Sequence, residues 1–399
     1  MQVPFHRPSI EQEEIDEVVD TLRSGWLTTG PKTAKFEQEF RNYLSVPQAQ
    51  AVNSCTAGLH LALAALNLGP GDEIITTPLT FCATVNVILH VGATPVLADV
   101  GEDGNLDPLS VAARITDRTR AIIAVHLAGL PCEMNTLWAL AREHRLHVVE
   151  DCAHALGARY QGWPIGAGNP ARGDYSAACA FSFYATKNIT TGEGGMVTTH
   201  SESLASAMKV LCLHGMSRDA WNRYSERGDW YYEVLTPGFK YNLTDIQSSL
   251  GLHQLRKLEK FLRAREQLVA RYNERLADVA EVELPPTSPE TRHAWHLYML
   301  RLNLERLEIG RAEFIAQLRE RGVGTSVHFI PIPLHPFFAP FANLPRNECP
   351  RALALYPRLV SLPLFPAMTM ADVDYVVAAI KGVIREARKT KSVFAGVGD

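Results

Sequence analysis

A lysine that follows an apolar run and opens a glycine-rich loop has the chemistry to hold an aldehyde. Lys187 stands in that position, within the stretch Phe181 to Met196, FSFYATKNITTGEGGM, whose three glycines let a ligand approach the backbone. A lysine taken alone is ordinarily a solvated surface residue, so its neighbours decide. Asp151 closes another apolar run, Leu146 to Glu150. A carboxylate there can cap a turn, ligate a metal or pair with a buried cationic ring. Asn53-Ser54-Cys55-Thr56-Ala57-Gly58 leads into the apolar helical stretch Leu59 to Leu66, which suits either a phosphate cup or an ordinary helix cap. Phe81, in Pro78-Leu79-Thr80-Phe81, can supply a flat face, although a lone Phe in an apolar run more often belongs to the core. Together these are a phosphate cup, an aromatic plate, an acid for a pyridinium nitrogen and an amine for an aldehyde, and that set matches pyridoxal phosphate.

The elements that must position these groups follow from the patterning. From Gln50 to Thr199 apolar runs of strand length alternate with helical patterns, the signature of a parallel sheet with crossover helices. Candidate strands are 121–125, 147–150 and 178–183. The segment 135–144, NTLWALAREH, predicts a helix between the first two, with Asn135 as its cap. Long helical periodicity from Thr244 to Asp278 opens on a Thr-Asp pair suited to capping and predicts a connector between domains. Beyond Pro285 and Pro286 the pattern predicts a strand at 295–302, a helix at 311–321, a strand at 324–329 and a terminal helix capped by Thr369. In that helix Val373, Val376, Val377, Ile380, Val383 and Ile384 share one face. The expected division is a large domain over 1–250 and a smaller α+β domain over 251–399, with 251–278 as connecting helix and the first 25 or so residues packed on the small domain.

Composition excludes several classes. The 399 residues are 46% hydrophobic and 21% charged with a formal net charge of -4, ordinary globular usage with no basic excess for nucleic acid or an anionic membrane. Seven scattered cysteines, none in a C-x-x-C pair, read as reduced thiols. No apolar run reaches the ~18 residues of a membrane span, and the N-terminus lacks a signal pattern. A cytoplasmic protein is expected, with no metal.

The sequence also resembles the sugar aminotransferases of the DegT/DnrJ/EryC1/StrS group. The likeness rests on the Lys187 stretch, on Glu150-Asp151-Cys152-Ala153-His154-Ala155, and on segments from Ser24-Gly25-Trp26-Leu27-Thr28-Thr29-Gly30-Pro31 to Ser361-Leu362-Pro363-Leu364-Phe365-Pro366. It implies an α/β fold of the type I pyridoxal-phosphate transferases: a large domain with a mostly parallel central sheet flanked by helices, and a smaller C-terminal domain. It implies that Lys187 holds the cofactor as a Schiff base, Asp151 pairs with the ring nitrogen, Phe81 stacks on the ring, and Ser182, Thr56 and the Ala57 backbone hold the phosphate. Asn242 is implied to reach the phosphate of the partner subunit, which would make an obligate homodimer with shared sites. Many relatives have Gln where His154 stands and Gly where Cys55 stands. His154 is expected to hydrogen-bond the phenolic oxygen, with a titration near neutral pH within its reach.

Within that group the chain is similar to nucleotide-sugar C-4 aminotransferases such as those making 4-amino-4-deoxy-L-arabinose. The matching stretches are Gly25-Trp26-Leu27-Thr28-Thr29-Gly30-Pro31, His214-Gly215-Met216, Asp219-Ala220-Trp221, His293-Ala294-Trp295-His296-Leu297 and Gly324-Thr325-Ser326-Val327-His328-Phe329. The implied reaction moves an amino group from L-glutamate to a keto sugar by a ping-pong route with pyridoxamine phosphate between the halves. Thr29, His328 and Phe329 are substrate-contact candidates, Phe329 serving equally as core, and Arg223 or Arg227 could meet the diphosphate. UDP, dTDP and GDP remain open as the nucleotide. The alternatives are amination at C-3 or of a cyclitol, a sugar dehydratase, in which histidine replaces the lysine, a non-catalytic regulator on the same fold, and a dehydrogenase. The last rests on Gly166-Ala167-Gly168-Asn169-Pro170-Ala171, a weak match that lacks the preceding buried strand.

Overall fold

A computed structural model describes residues 1–217, 232–342 and 348–388. Strands β1 (Gln48–Val52), β2 (Glu73–Thr76), β3 (Thr94–Leu97), β4 (Thr119–Val125), β5 (His147–Asp151), β6 (Arg159–Tyr160), β7 (Trp163–Pro164), β8 (Ala178–Ser182) and β9 (Gly195–Thr199) come before residue 200. Strands β10 (Val282–Glu283), β11 (Thr291–Arg292), β12 (Tyr298–Leu302) and β13 (Leu359–Leu362) follow the longest helix. The central sheet has seven strands in the order β1-β9-β8-β5-β4-β2-β3. Five of them, β8-β5-β4-β2-β3, run parallel, while β9 is antiparallel to both β8 and β1. The remaining sheets, β10-β12-β13 and β11-β6-β7, are three-stranded.

The helices are α1 (Gln12–Ser24), α2 (Pro31–Leu44), α3 (Cys55–Ala65), α4 (Ala83–His90), α5 (Pro108–Ala112), α6 (Met134–His144), α7 (Glu202–Cys212), α8 (Asp245–Leu276), α9 (Arg311–Glu320), α10 (Ala339–Ala342), α11 (Pro350–Leu355) and α12 (Met370–Ala387). No helix among the described residues is long and apolar enough to cross a membrane. Helix α3 buries Cys55 and Ala57 through Leu63 without interruption, because it lies in the core against the sheet rather than on the surface. Gly58 permits that approach: a Cβ there would stand 3.2 Å from Cβ of Ala180 on β8.

Helix α8 is continuous, opened by a capping box between Thr244 and Gln247, an arrangement worth about 1 kcal/mol. Its first half packs Leu252 to Leu262 into the cluster around the central sheet, and its second half packs Leu268 to Leu276 with β12, β13 and α12. All six apolar positions expected on the inner face of α12 are buried, and Thr369 caps it. Val3 bridges to Val323 and lies in the second cluster, while α1 packs along α8.

Several local expectations are corrected. Helix α6 starts at Met134 with Glu133 at its cap position and no side-chain cap, so Asn135 lies inside it. Asp245 does not serve its own helix alone. Its carboxylate accepts from the N–H groups of Gly30, Lys32 and Thr33 at 2.8–3.0 Å, capping α2 from outside. The run 324–329 is no strand: Gly324 bonds Val3 and Ser326 bridges Ser361, so the segment turns from one partner to the next. Strand β12 starts at Tyr298, because Ala294 and Leu297 donate to the Gly129 and Ala128 carbonyls and Trp295 takes a positive φ of 48°.

Candidate active site

Parallel sheets present ligands at the carboxyl ends of their strands, and there a cavity of about 510 Å³ opens. Strand β5 ends on Asp151, β8 ends on Ser182, and the N-terminus of α3 brings Thr56. Lys187, Phe81, His154, His328 and Phe329 also line it, together with His296. The structure thus gathers eight predicted residues around one space.

Lys187 is held by its loop rather than by its own side chain. Its N–H donates to the Tyr184 carbonyl at 2.9 Å, and Asn188 Nδ2 anchors the loop on the Ala294 carbonyl at 2.9 Å. Among the described residues its Nζ has no hydrogen bond or ion pair. Burial lowers its pKa from 10.5 to about 8, against the opposing pull of Cys55 and Asp151, so much of the amine is neutral at mildly alkaline pH. Asp151 is surrounded by donors. Oδ2 accepts from Thr84 Oγ1 at 2.8 Å, and Oδ1 accepts from the Ala153 N–H at 3.1 Å and lies 3.7 Å from Cys55 Sγ. On the opposite face of the same strand Glu150 is tied to His126 and Ser176, while His126 Nδ1 accepts from the Cys132 N–H. Both ring nitrogens of His126 are therefore engaged in fixing the strand.

The histidines do not titrate as expected. Burial, reinforced by Lys187 and His328, holds the His154 pKa well below 6.5, which corrects the expectation of a change near neutrality. Its Nδ1 accepts from the Ala128 N–H at 3.2 Å, so the proton of the neutral ring sits on Nε2. His296 lies 4.3 Å from it, ring to ring, and is likewise pushed well down by burial. Phe329 stacks on His154 at 5.6 Å, and His328, lowered to about 4 by burial, meets Ser361 Oγ through Nδ1 at 2.9 Å.

At the phosphate cup, Ser54 caps α3 by accepting from the Ala57 N–H at 3.1 Å, so the Ala57 amide expected for a phosphate already has an internal partner. Thr56 and Ser182 line the cavity, beside a helix terminus whose first-turn amides lack intrahelical acceptors. Phe81 is 59% exposed, so its face is open to a stacked ring. An unpartnered amine, an all-acceptor carboxylate, an uncovered aromatic plate and hydroxyls at a helix N-terminus fit pyridoxal phosphate.

Two predicted residues stand elsewhere. Thr29 and Asn242 line a separate concavity of about 520 Å³ with Glu37, Arg41, Gln50 and Lys209. They bond each other, Asn242 Nδ2 donating to Thr29 Oγ1 at 2.8 Å, and Thr29 Oγ1 also bonds the Leu243 carbonyl. Asp219, Ala220, Trp221, Arg223 and Arg227 lie outside the described residues. Gly166 and Gly168 sit in loop after the two-residue β7, without the strand-to-helix context of a dinucleotide fingerprint. His296 and Thr84 were not singled out by sequence. His296 falls in a quoted motif, whereas nothing in the pattern marks Thr84.

The model of the DegT/DnrJ/EryC1/StrS aminotransferase family matches residues 8–381. The chain is 47% identical over 387 residues to the spore coat polysaccharide biosynthesis protein SpsC of Bacillus subtilis, covering 96% of this chain and 98% of that one. Spr1654 of Streptococcus pneumoniae, solved in its pyridoxamine-phosphate form, superposes with a TM-score of 0.89 at 35% identity, covering 96% of this chain and 99% of that chain. PseC of Helicobacter pylori, an aminotransferase involved in the biosynthesis of pseudoaminic acid, superposes with a TM-score of 0.87 at 29% identity, covering 97% and 100%.

Proposed function

Since this chain belongs to the DegT/DnrJ/EryC1/StrS aminotransferase family and is a pyridoxal-phosphate-dependent transaminase, we propose that it transfers the amino group of L-glutamate to the C-4 keto carbon of a nucleotide-linked keto-deoxy sugar. The observation that carries the reading is the Lys187 amine, unpartnered and lowered to about 8, in one cavity with the Asp151 carboxylate. When bound, pyridoxal phosphate supplies an electron sink for the pair left by the broken C–H bond.

The chain's own residues supply the rest. Thr56 and Ser182 would hold the phosphate, Phe81 the ring face and Asp151 the proton on the ring nitrogen. The neutral His154, with its hydrogen on Nε2, would donate to an oxygen without adding charge. Lys187 Nζ would bind the cofactor's aldehyde and, once the donor amine has taken its place, would carry the proton taken from the donor's α-carbon. A lowered pKa suits both roles, because a fully protonated amine could neither attack nor accept.

A sugar acceptor is supported by SpsC, named for polysaccharide biosynthesis, and by PseC, named for pseudoaminic acid biosynthesis. C-4 regiochemistry and the nucleotide rest on motif likeness, with His328 and Phe329 in the cavity as substrate contacts. Retention of Lys187 favours transamination over dehydration. The test is a panel of UDP- and dTDP-linked 4-keto sugars, their 3-keto counterparts and a cyclitol ketone, each supplied with glutamate, the products identified by mass and NMR. The expected product carries nitrogen at C-4. Amination at C-3, or of a cyclitol ketone only, would refute the regiochemistry.

A further inference from the structure

We propose that Thr84, with Thr80 behind it, is a positioning residue that fixes Asp151 as a pure acceptor toward the cofactor ring. The contacts form a short chain: Thr80 Oγ1 lies 2.8 Å from Thr84 Oγ1, which lies 2.8 Å from Asp151 Oδ2. Both threonines are buried, Thr84 at 0% exposure and Thr80 at 2%. Neither hydroxyl is therefore satisfied by bulk water.

Donor counting gives the chain a direction. A carboxylate only accepts, so the one hydrogen of Thr84 goes to Asp151, and the contact between the threonines must run from Thr80 to Thr84. The other carboxylate oxygen already takes the Ala153 N–H, and the Cys55 thiol, shared with the Ala180 carbonyl at 3.3 Å, lies on the same side. A hydrogen on Oδ2 facing Thr84 could be housed only by reversing both hydroxyls. The arrangement leaves the carboxylate with acceptor capacity to spend on a ring N–H, in one orientation.

Thr84 does not line the cavity, whereas Thr80, Phe81 and Asp151 do. It acts through Asp151. It sits in the first turn of α4, its N–H donating to the Phe81 carbonyl at 3.2 Å, so one turn of helix sets both the aromatic plate and the acid. This rests on the reading of Asp151 as the partner of the ring nitrogen.

The experiment loads the protein with cofactor isotopically labelled at the ring nitrogen and reads its NMR shift and dissociation constant. Wild type and Thr84→Ser are expected to show the protonated nitrogen. Thr84→Val, close to isosteric, is expected to move the shift toward the unprotonated value and raise the dissociation constant roughly ten-fold, the scale of one hydrogen bond to a charged group. Asp151→Asn provides the reference. If it leaves the protonated signal intact, the reading of Asp151 itself fails. If it moves the signal while folded Thr84→Val matches wild type, the relay is overturned and Asp151 stands. Should Thr84→Val not fold, Thr80→Val decides: a smaller change of the same sign supports the relay, and an unchanged shift and affinity refute it.

Discussion

Lys187 is half-buried in the wall of its cavity, and the cost of that placement falls on the protein before any cofactor arrives. With its pKa lowered from 10.5 to about 8, the unfolded chain binds a proton between those values that the folded one has released. Stability of the apoprotein therefore rises with pH across that window, and below about 8 the full penalty of a buried charge is present. Lys187→Met is expected to melt a few degrees above wild-type apoprotein at pH 7, with the gap closing as the pH approaches 10.5. A gap independent of pH would mean that packing rather than charge accounts for it. The same residue was legible in the sequence by type and motif, as was Asp151. His154 was legible in place but not in state, because its neutrality comes from burial and its tautomer from the N–H of Ala128, 26 positions away.

At the scale of elements, the site depends on how closely α3 approaches the sheet. A Cβ at Gly195, the first residue of β9, would lie 2.6 Å from the Ser54 carbonyl carbon, 2.7 Å from Cys55 N and 2.7 Å from Phe181 O. These are backbone atoms, so no side chain can swing aside. Gly195→Ala is expected to push the helix N-terminus off the sheet, costing ~1–3 kcal/mol in stability and weakening cofactor affinity more than ten-fold. Melting and cofactor titration would check this, and unchanged affinity would show that the cup tolerates the shift. The sheet strands and long helices were readable because their periodicity is local. The 324–329 segment was not, because two separate partners compete for its backbone.

At the scale of the whole molecule, α8 runs through two of the apolar clusters, and we propose the division into 1–250 and 251–399 with this helix across it. Asn242 faces a concavity apart from the cavity of Lys187, where a group that serves another copy's site would stand. We infer a homodimer with shared sites. Co-refolding Lys187→Ala with Asn242→Ala, each weak alone, is then expected to restore about a quarter of wild-type activity through heterodimers with one intact site. No recovery above the separate variants would exclude sharing. By itself the sequence determined the chemical inventory, because a lysine after a strand, an acid at a strand end and a hydroxyl-rich helix start are local patterns. Only the tertiary structure decided which of those groups meet, where each proton resides and which lone pairs stay free. Those properties depend on burial and on donors as distant in the chain as Thr84 is from Asp151, 67 positions, and a buried group takes its protonation state from whatever the fold brings against it.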